Sequence, residues 1–274
     1  MESFKGHLGK MKTTMGEPVS YELPLDELRI PLNPHLGREI SLSFTGTIHC
    51  VECGRKIKKT YSDGHCWNCT QALASCDLCI MKPETCHYDK GTCREPAWGE
   101  ANCMTTHFVY LANSSGLKVG ITRNGNIPSR WIDQGAHEGI PIFRVKTRYQ
   151  SGLLETIFKQ HVSDRTNWRK MLTNTREEQD LPARREQLMA ACEAEIQALW
   201  ERFGEDALVP LTQETVTRIE FPVLQYPTKV TSFNFTKTPL VEGVLQGVKG
   251  QYLLLSTGVL NIRKFTGFEV EVTL

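Results

Sequence analysis

The chain has 274 residues, and its 32 Lys and Arg almost balance 31 Asp and Glu, leaving a formal charge of +1. That length accommodates two or three domains with a substantial core. The charge excludes a globally basic protein that coats nucleic acid through net charge alone, while leaving local basic patches open. No run approaches the roughly 18–20 apolar residues of a membrane span, and the N-terminal residues lack the hydrophobic centre of an export signal, so the expectation is a soluble, cytoplasmic protein.

Residues 1–48 read as an N-terminal β segment. Phe4, His7–Met11 and Ile40–Phe44 alternate in the strand manner, with Pro31 and Pro34 breaking the middle. Residues 49–104 form a Cys-rich zinc-binding domain that holds nine of the ten cysteines. Cys50-x-x-Cys53 and Cys66-x-x-Cys69 have the layout of a four-thiolate zinc ribbon: each CxxC turn offers two sulfurs to one tetrahedral ion, and the loop between brings the pairs together. A reducing cytosol favours metal over a disulfide framework, and the lack of a βαβ setting argues against a redox CxxC. Cys76, Cys79, Cys86 and Cys93 complete a second four-sulfur site, in which His87 or Cys103 can replace one ligand. The alternative is a single zinc, with the later cysteines as apolar fillers. The segment has little apolar periodicity, so its fold is expected to depend on the ion.

The loop between the first two pairs carries Arg55, Lys56, Lys58 and Lys59, followed by Tyr61 and Trp67. Cations interleaved with aromatics suit a phosphate backbone and exposed bases; a solvated hairpin is the plain alternative.

Residues 105–172 change character. His107–Leu111 reads as a strand, Asn113–Gly116 as a turn and Leu117–Ile121 as the hairpin partner. A short helix carrying Arg130 and Trp131 runs from Pro128 to Gly135, Pro141–Thr147 is a third strand, and Leu153, Leu154, Ile157, Phe158 and Val162 recur at helical spacing. Residues 173–208 are a connector whose single amphipathic helix, 180–203, has the stripe Leu188, Cys192, Ile196, Leu199, Trp200 and Phe203 and ends at Gly204. Cys192 on that stripe reads as packing. Residues 209–274 are β-rich, with strands at Val241–Val248, Tyr252–Ser256, Val259–Ile262 and Phe268–Val272; Arg263 and Lys264 read as a solvated turn, with phosphate contacts as the alternative. No internal repeat is evident.

From Phe108 to Leu172, about a quarter of the chain, the order of features resembles the GIY-YIG nuclease superfamily, in particular its reduced phage-type branch. Phe108-Val109-Tyr110 stands at the Gly-Ile-Tyr strand and Lys118-Val119-Gly120 at the Tyr-Ile-Gly strand. Arg130 follows on a helix and Glu155 on the next. Asp164-Arg165-Thr166-Asn167-Trp168 looks like the branch's closing Arg-x-x-x-Glu-Trp-Phe, with the acid replaced by Asn167. The resemblance implies that Tyr110 handles the attacking water, Lys118 assists or acts as base, Arg130 contacts the phosphate and Glu155 holds one divalent ion, magnesium or manganese. The first motif lacks its glycine, the second its tyrosine and the last its acid, so the resemblance speaks for fold more than for activity. The runs Cys93–Gly99, Leu117–Thr122, Arg130–Gly135 and Gly250–Leu253 also resemble an uncharacterised bacterial family, domain of unknown function 2797.

The expected fold is therefore α+β: a zinc-ribbon-like Cys-rich segment, a small GIY-YIG-like three-stranded sheet with helices, and a terminal β-rich domain to which both chain ends are candidates to contribute. Two functions stay open, a divalent-metal-dependent endonuclease and a non-catalytic zinc-dependent nucleic-acid-binding protein, with DNA or RNA as partner in either case. A zinc-held interaction adaptor is the third reading.

Overall fold

A computed structural model describes residues 2–274. The first strands are β1 (Ser3–His7), β2 (Lys12–Thr14), β3 (Ser20–Leu25), β4 (Leu28–Pro31) and β5 (Glu39–His49). The strand expected over His7–Met11 is interrupted. Leu8 leaves β1 to bridge Leu25, and the backbone N–H and C=O of Met11 are taken by the Gln251 side chain at 2.9 and 3.2 Å instead of by a neighbouring strand. β2, β3 and β4 form a three-stranded sheet, and β5 continues towards the cysteines.

β6 (Lys56–Ile57) folds back onto the end of β5. The short helices α1 (Trp67–Ala72), α2 (Leu78–Met81) and α3 (Pro96–Asn102) follow, and few of their residues are buried.

The central unit begins with β7 (His107–Asn113), β8 (Leu117–Arg123), α4 (Ser129–Asp133), β9 (Glu138–Val145), α5 (Arg148–Phe158) and α6 (Trp168–Leu172). β7 lies between antiparallel β8 and β9. The third strand ends at Val145, short of Thr147, because Thr147 caps α5: its hydroxyl accepts from Gln150 N while Gln150 Oε1 accepts from Thr147 N. The helix expected over 180–203 is two, α7 (Leu181–Ala191) and α8 (Glu193–Phe203), with Cys192 between them at φ −114°, ψ 18°. The break keeps Leu188, Cys192, Ile196 and Leu199 buried against Val109, Leu111, Ile140 and Ile142. β10 (Leu208–Pro210) and β11 (Thr217–Arg218) then add to β9, giving five strands where three were expected.

β12 (Leu240–Lys249), β13 (Tyr252–Leu255), β14 (Gly258–Asn261) and β15 (Phe268–Thr273) complete the chain. They join the N-terminal strands in one sheet of order β1-β15-β5-β12-β13-β14, with β6 attached to β5. Phe4 faces Val272 across one pair, and Val272 faces Leu42 across the next.

The two ends of the chain, taken over both the larger sheet and the β2-β3-β4 sheet, contain a repeat that the sequence hides. Residues 20–43 align without a gap on 250–273. Each copy is a hairpin, a 3₁₀ turn (Asn33–His35 or Arg263–Phe265), a glycine and a strand. Leu23, Leu25, Ile30, Leu32, Ile40 and Leu42 match Leu253, Leu255, Leu260, Ile262, Val270 and Val272, and all are buried. Leu32 N donates to Tyr21 O as Ile262 N donates to Gln251 O, each at 2.9 Å. Gly37 and Gly267 adopt φ 77° and 85°, a left-handed conformation that suits glycine. Each copy is tied to the segment that precedes the other, since Gly37 N donates to Leu245 O and Gly267 N to Leu8 O, each at 2.8 Å.

β7 alternates between two cores. Val109 and Leu111 face α5, α7 and α8, while Tyr110 and Ala112 pack with Trp131 into the core shared with the terminal strands. α4 is the bridge: Asp133 Oδ1 accepts from Gln251 Nε2 at 2.9 Å, and a Cβ on Gly250 would lie 3.1 Å from Asp133 O. No helix among the described residues is long and apolar enough to cross a membrane.

Candidate metal centre and charged cavity

β5 runs directly into the first cysteine pair. The Cys50 carbonyl accepts from Gly54 N and Cys50 N donates to Arg55 O, both at 2.9 Å, closing a knuckle that needs Gly54 at φ 65°. The second pair starts α1, where Cys66 Sγ accepts from Cys69 N at 3.4 Å. The sulfurs of Cys50, Cys53, Cys66 and Cys69 all lie within 4.8 Å of one another, and Cys53 Sγ is 3.9 Å from Cys66 Sγ. A tetrahedral zinc–thiolate site with bonds of about 2.3 Å places its sulfurs about 3.8 Å apart, so the set can hold such an ion. Burial alone would raise the Cys50 thiol, but the amides of Cys53, Cys66 and Glu52 outweigh it and bring it down to about 6. Burial pushes Cys69 up, as does its sharing of hydrogen bonds with the other three sulfurs. Four thiolates at this spacing repel one another, and a cation is what allows all of them to ionise.

The later cysteines divide differently from their order in the chain. Cys76 lies on the wall of a large cavity, Cys79, Cys86 and Cys93 line a smaller one, and Cys103 borders both. His87 approaches Asp77 and Cys79. Cys192 is buried within the central core.

The large cavity, about 440 Å³, lies between the Cys-rich segment and the edge strand β8. Tyr110, Lys118, Arg130 and Glu155 all line it. Tyr110 and Lys118 share one face of the β7–β8 hairpin, because Tyr110 pairs with Gly120 and Ala112 with Lys118. Glycine at 120 is required there, since a Cβ would lie 2.6 Å from the Tyr110 hydroxyl. The buried Tyr110 hydroxyl donates to Gln134 Oε1 at 2.9 Å, and burial raises its pKa despite the nearby Arg130. Lys118 is buried; that burial, followed by the charge of Arg130, lowers its ammonium to about 8. Its Nζ donates to Thr166 Oγ1 at 3.2 Å. Burial raises the Glu155 carboxyl, opposed by Lys159, whose Nζ stands 3.5 Å from Glu155 Oε2 and 3.4 Å from Asp164 Oδ2. Asn167, at the position of the missing acid, caps α6 by accepting from Lys170 N at 3.2 Å.

Three further residues on the cavity wall were not legible in the sequence. Arg148 is the first residue of α5; its backbone N donates to Cys103 O and its guanidinium to Ile80 O, each at 2.8 Å. His107 Nδ1 lies 2.7 Å from Thr105 O and so carries the proton, leaving the buried Nε2 without a partner among the described residues. Burial, opposed by the Thr105 hydrogen bond, lowers that imidazole to about 4. Arg263, read as a solvated turn residue, instead reaches the cavity rim and donates to Asp63 Oδ2 at 2.6 Å. The Thr147/Gln150 capping box was the sequence signal that places Arg148 at a helix start. Nothing in the pattern shows that it faces a cavity.

Beside the first cysteine cluster, a shallow groove of about 430 Å³ is lined by Arg55, Lys58, Lys59, Tyr61 and Trp67. Trp67 is 54% exposed, its ring centroid is 5.1 Å from that of Tyr61, and Lys59 Nζ lies 4.9 Å from the Tyr61 centroid. Lys56 lies on β6, where it pairs with His49, and does not line this groove.

These features define a mixed α+β protein with antiparallel sheets, a four-cysteine cluster able to hold a metal such as zinc, and beside it a cavity lined by charges of both signs. Residues 37–270 match the family described as protein of unknown function (DUF2797), and the chain belongs to that family. No curated protein and no solved structure matches it.

Proposed function

We propose that this protein is a metal-dependent phosphodiesterase acting on nucleic acid, with a divergent GIY-YIG-like site and a zinc ribbon as substrate reader. The observation that carries the reading is the convergence of Tyr110, Lys118, Arg130 and Glu155, drawn from two strands and two helices, on one cavity. Arg130, with Arg148 on the same wall, opposes the charge of a bound phosphate. Lys118, lowered to about 8, takes the proton of the attacking water, and the Tyr110 phenol, held by Gln134, orients that water. Glu155, with Asp164 on the same wall, suits a hard divalent cation through oxygen ligands. Magnesium or manganese bound there would supply Lewis-acid stabilisation of the leaving oxygen. Zinc in the first cysteine cluster is structural, because a closed four-thiolate site leaves no open position. The Tyr61/Trp67 groove, with Arg55, Lys58 and Lys59, offers bases a stacking face beside cations.

Two observations favour the non-catalytic alternative, in which the same fold is a nucleic-acid-binding scaffold: Glu155 is already paired with Lys159, and Asn167 caps a helix where an acid is missing. Single- and double-stranded DNA and RNA oligonucleotides, each with magnesium or manganese, separate the two. Cleavage of any of them supports the phosphodiesterase. Salt-sensitive binding with no cleavage across the panel contradicts it and supports the scaffold.

A further inference from the structure

We propose that Cys79, Cys86, Cys93 and Cys103 hold an iron–sulfur cluster of the four-iron, four-sulfide kind. The inference is independent of the phosphodiesterase reading. These four cysteines come from α2, two irregular loops and the residue after α3, and they converge on one small cavity. The centre of a water-sized sphere has about 20 Å³ of free space there. A mononuclear zinc–thiolate site has no such hollow, because its sulfurs stand about 3.8 Å apart and nearly touch. The first cluster has that contracted form, with Cys53 Sγ 3.9 Å from Cys66 Sγ.

The second set does not. Among the described residues, the groups of three or more ligating atoms lying within 4.8 Å of one another are the first quartet and Asp77, Cys79 and His87. No three sulfurs of the second set are that close. Four thiols that line one hollow without the contraction of the first quartet fit a cluster whose iron and sulfide ions occupy the hollow, each thiolate binding one iron. Ile80, Tyr88 and Trp98 supply the surrounding apolar wall, and Arg94 on the same wall is a counter-charge. A Cβ on Gly99 would lie 3.3 Å from Cys93 Sγ, so glycine lets α3 approach that thiol. The Asp77, Cys79 and His87 trio is accounted for without an ion. Asp77 Oδ1 accepts from Cys79 N at 3.2 Å, its Oδ2 pairs with Arg94 at 2.7 Å, and His87 Nδ1 lies 2.8 Å from Thr92 Oγ1.

The site bears on the large cavity through α5. Cys103 O and Ile80 O both hold Arg148, and a Cβ on Gly152 would lie 2.5 Å from Pro83 Cβ, so the cysteine loops and the helix that carries Glu155 are packed together.

The test is metal and acid-labile sulfide analysis of the full chain, purified without oxygen from iron-replete cells. The proposal expects about four irons, about four sulfides and one zinc per chain, with visible absorption that bleaches on reduction by dithionite. Cys93→Ser and Cys103→Ser lose iron and sulfide but keep zinc, Cys53→Ser does the reverse, and Cys76→Ser and Asp77→Asn keep both. Two zincs without labile sulfide, or one zinc and no iron, overturn the proposal. So does iron that survives in Cys103→Ser but is lost in Cys76→Ser. The wild-type composition decides the matter even if a cysteine variant fails to fold.

Discussion

Lys118 is charged at a cost to the fold. Burial and Arg130 lower its pKa from 10.5 to about 8, so the ammonium is penalised below that pH and the penalty fades as pH rises towards 10.5. The neutral amine required of a base accumulates over the same interval. Cleavage is therefore expected to rise with pH through about 8 and then level off, and Lys118→Arg, which stays charged, loses both the activity and that rise. Lys118→Met should be inactive yet more resistant to urea at pH 7, by about 1–3 kcal/mol, the stability–function trade-off common at active sites. Gly120→Ala is the complementary case. Its Cβ meets the fully buried Tyr110 hydroxyl at 2.6 Å, and neither strand can move away without losing the hairpin. Overpacking of this kind costs about 1–3 kcal/mol, to be read as a lower urea midpoint. At this scale the sequence exposed position in the chain: Tyr110, Lys118, Arg130 and Glu155 stand on two strands and two helices and line one cavity. His107 and Arg148 were hidden because one is a strand residue and the other a helix start, and neither position shows in a pattern that it borders a cavity.

The Cys-rich segment illustrates what spacing reveals and what it does not. Two CxxC turns are local, so Cys50, Cys53, Cys66 and Cys69 were legible as one set. Beyond them, neighbours in sequence part company: Cys76 lines the large cavity, and Cys103 arrives at the smaller one through α3. With no apolar core of its own, the ribbon should fold only with its ion. Cys53→Ser, or chelation of the wild type, is expected to release one zinc and open residues 49–70 to limited proteolysis while the 105–208 core stays resistant. Equal protease resistance with and without zinc would show that packing against Thr266 and Gly267 suffices to hold the segment. Helices were legible by stripe and not by continuity. Leu188, Cys192, Ile196 and Leu199 marked the buried face correctly, yet the periodicity gave no sign that Cys192 breaks the helix.

For the whole molecule, the duplication is the main constraint. Its two copies share little beyond buried apolar positions and the Gly37/Gly267 pair, which is why the repeat does not show as sequence identity. Long-range pairing such as β1 with β15 leaves no local signal either. Since β5 lies between β15 and β12, and Gly37 and Gly267 bond to Leu245 and Leu8 at the opposite ends of the chain, neither end completes the larger sheet alone. A chain lacking residues 1–48 is expected to lose cooperative unfolding and to aggregate, and co-expression of 1–48 as a separate fragment should restore solubility. The same sheet supports the site: Gln251 anchors α4 through Asp133, and Arg263 reaches the cavity rim through Asp63. That the cavity so assembled hydrolyses phosphodiesters is tested most directly by single-turnover cleavage of labelled oligonucleotides with manganese, comparing wild type and Glu155→Gln and measuring binding in the same mixtures. The account predicts product from the wild type and a rate at least about 10-fold slower from the variant at unchanged affinity, the lower end of what losing even an outer-shell partner of a bound metal costs. Equal rates in the two proteins, or binding by both with no product from either, would contradict it.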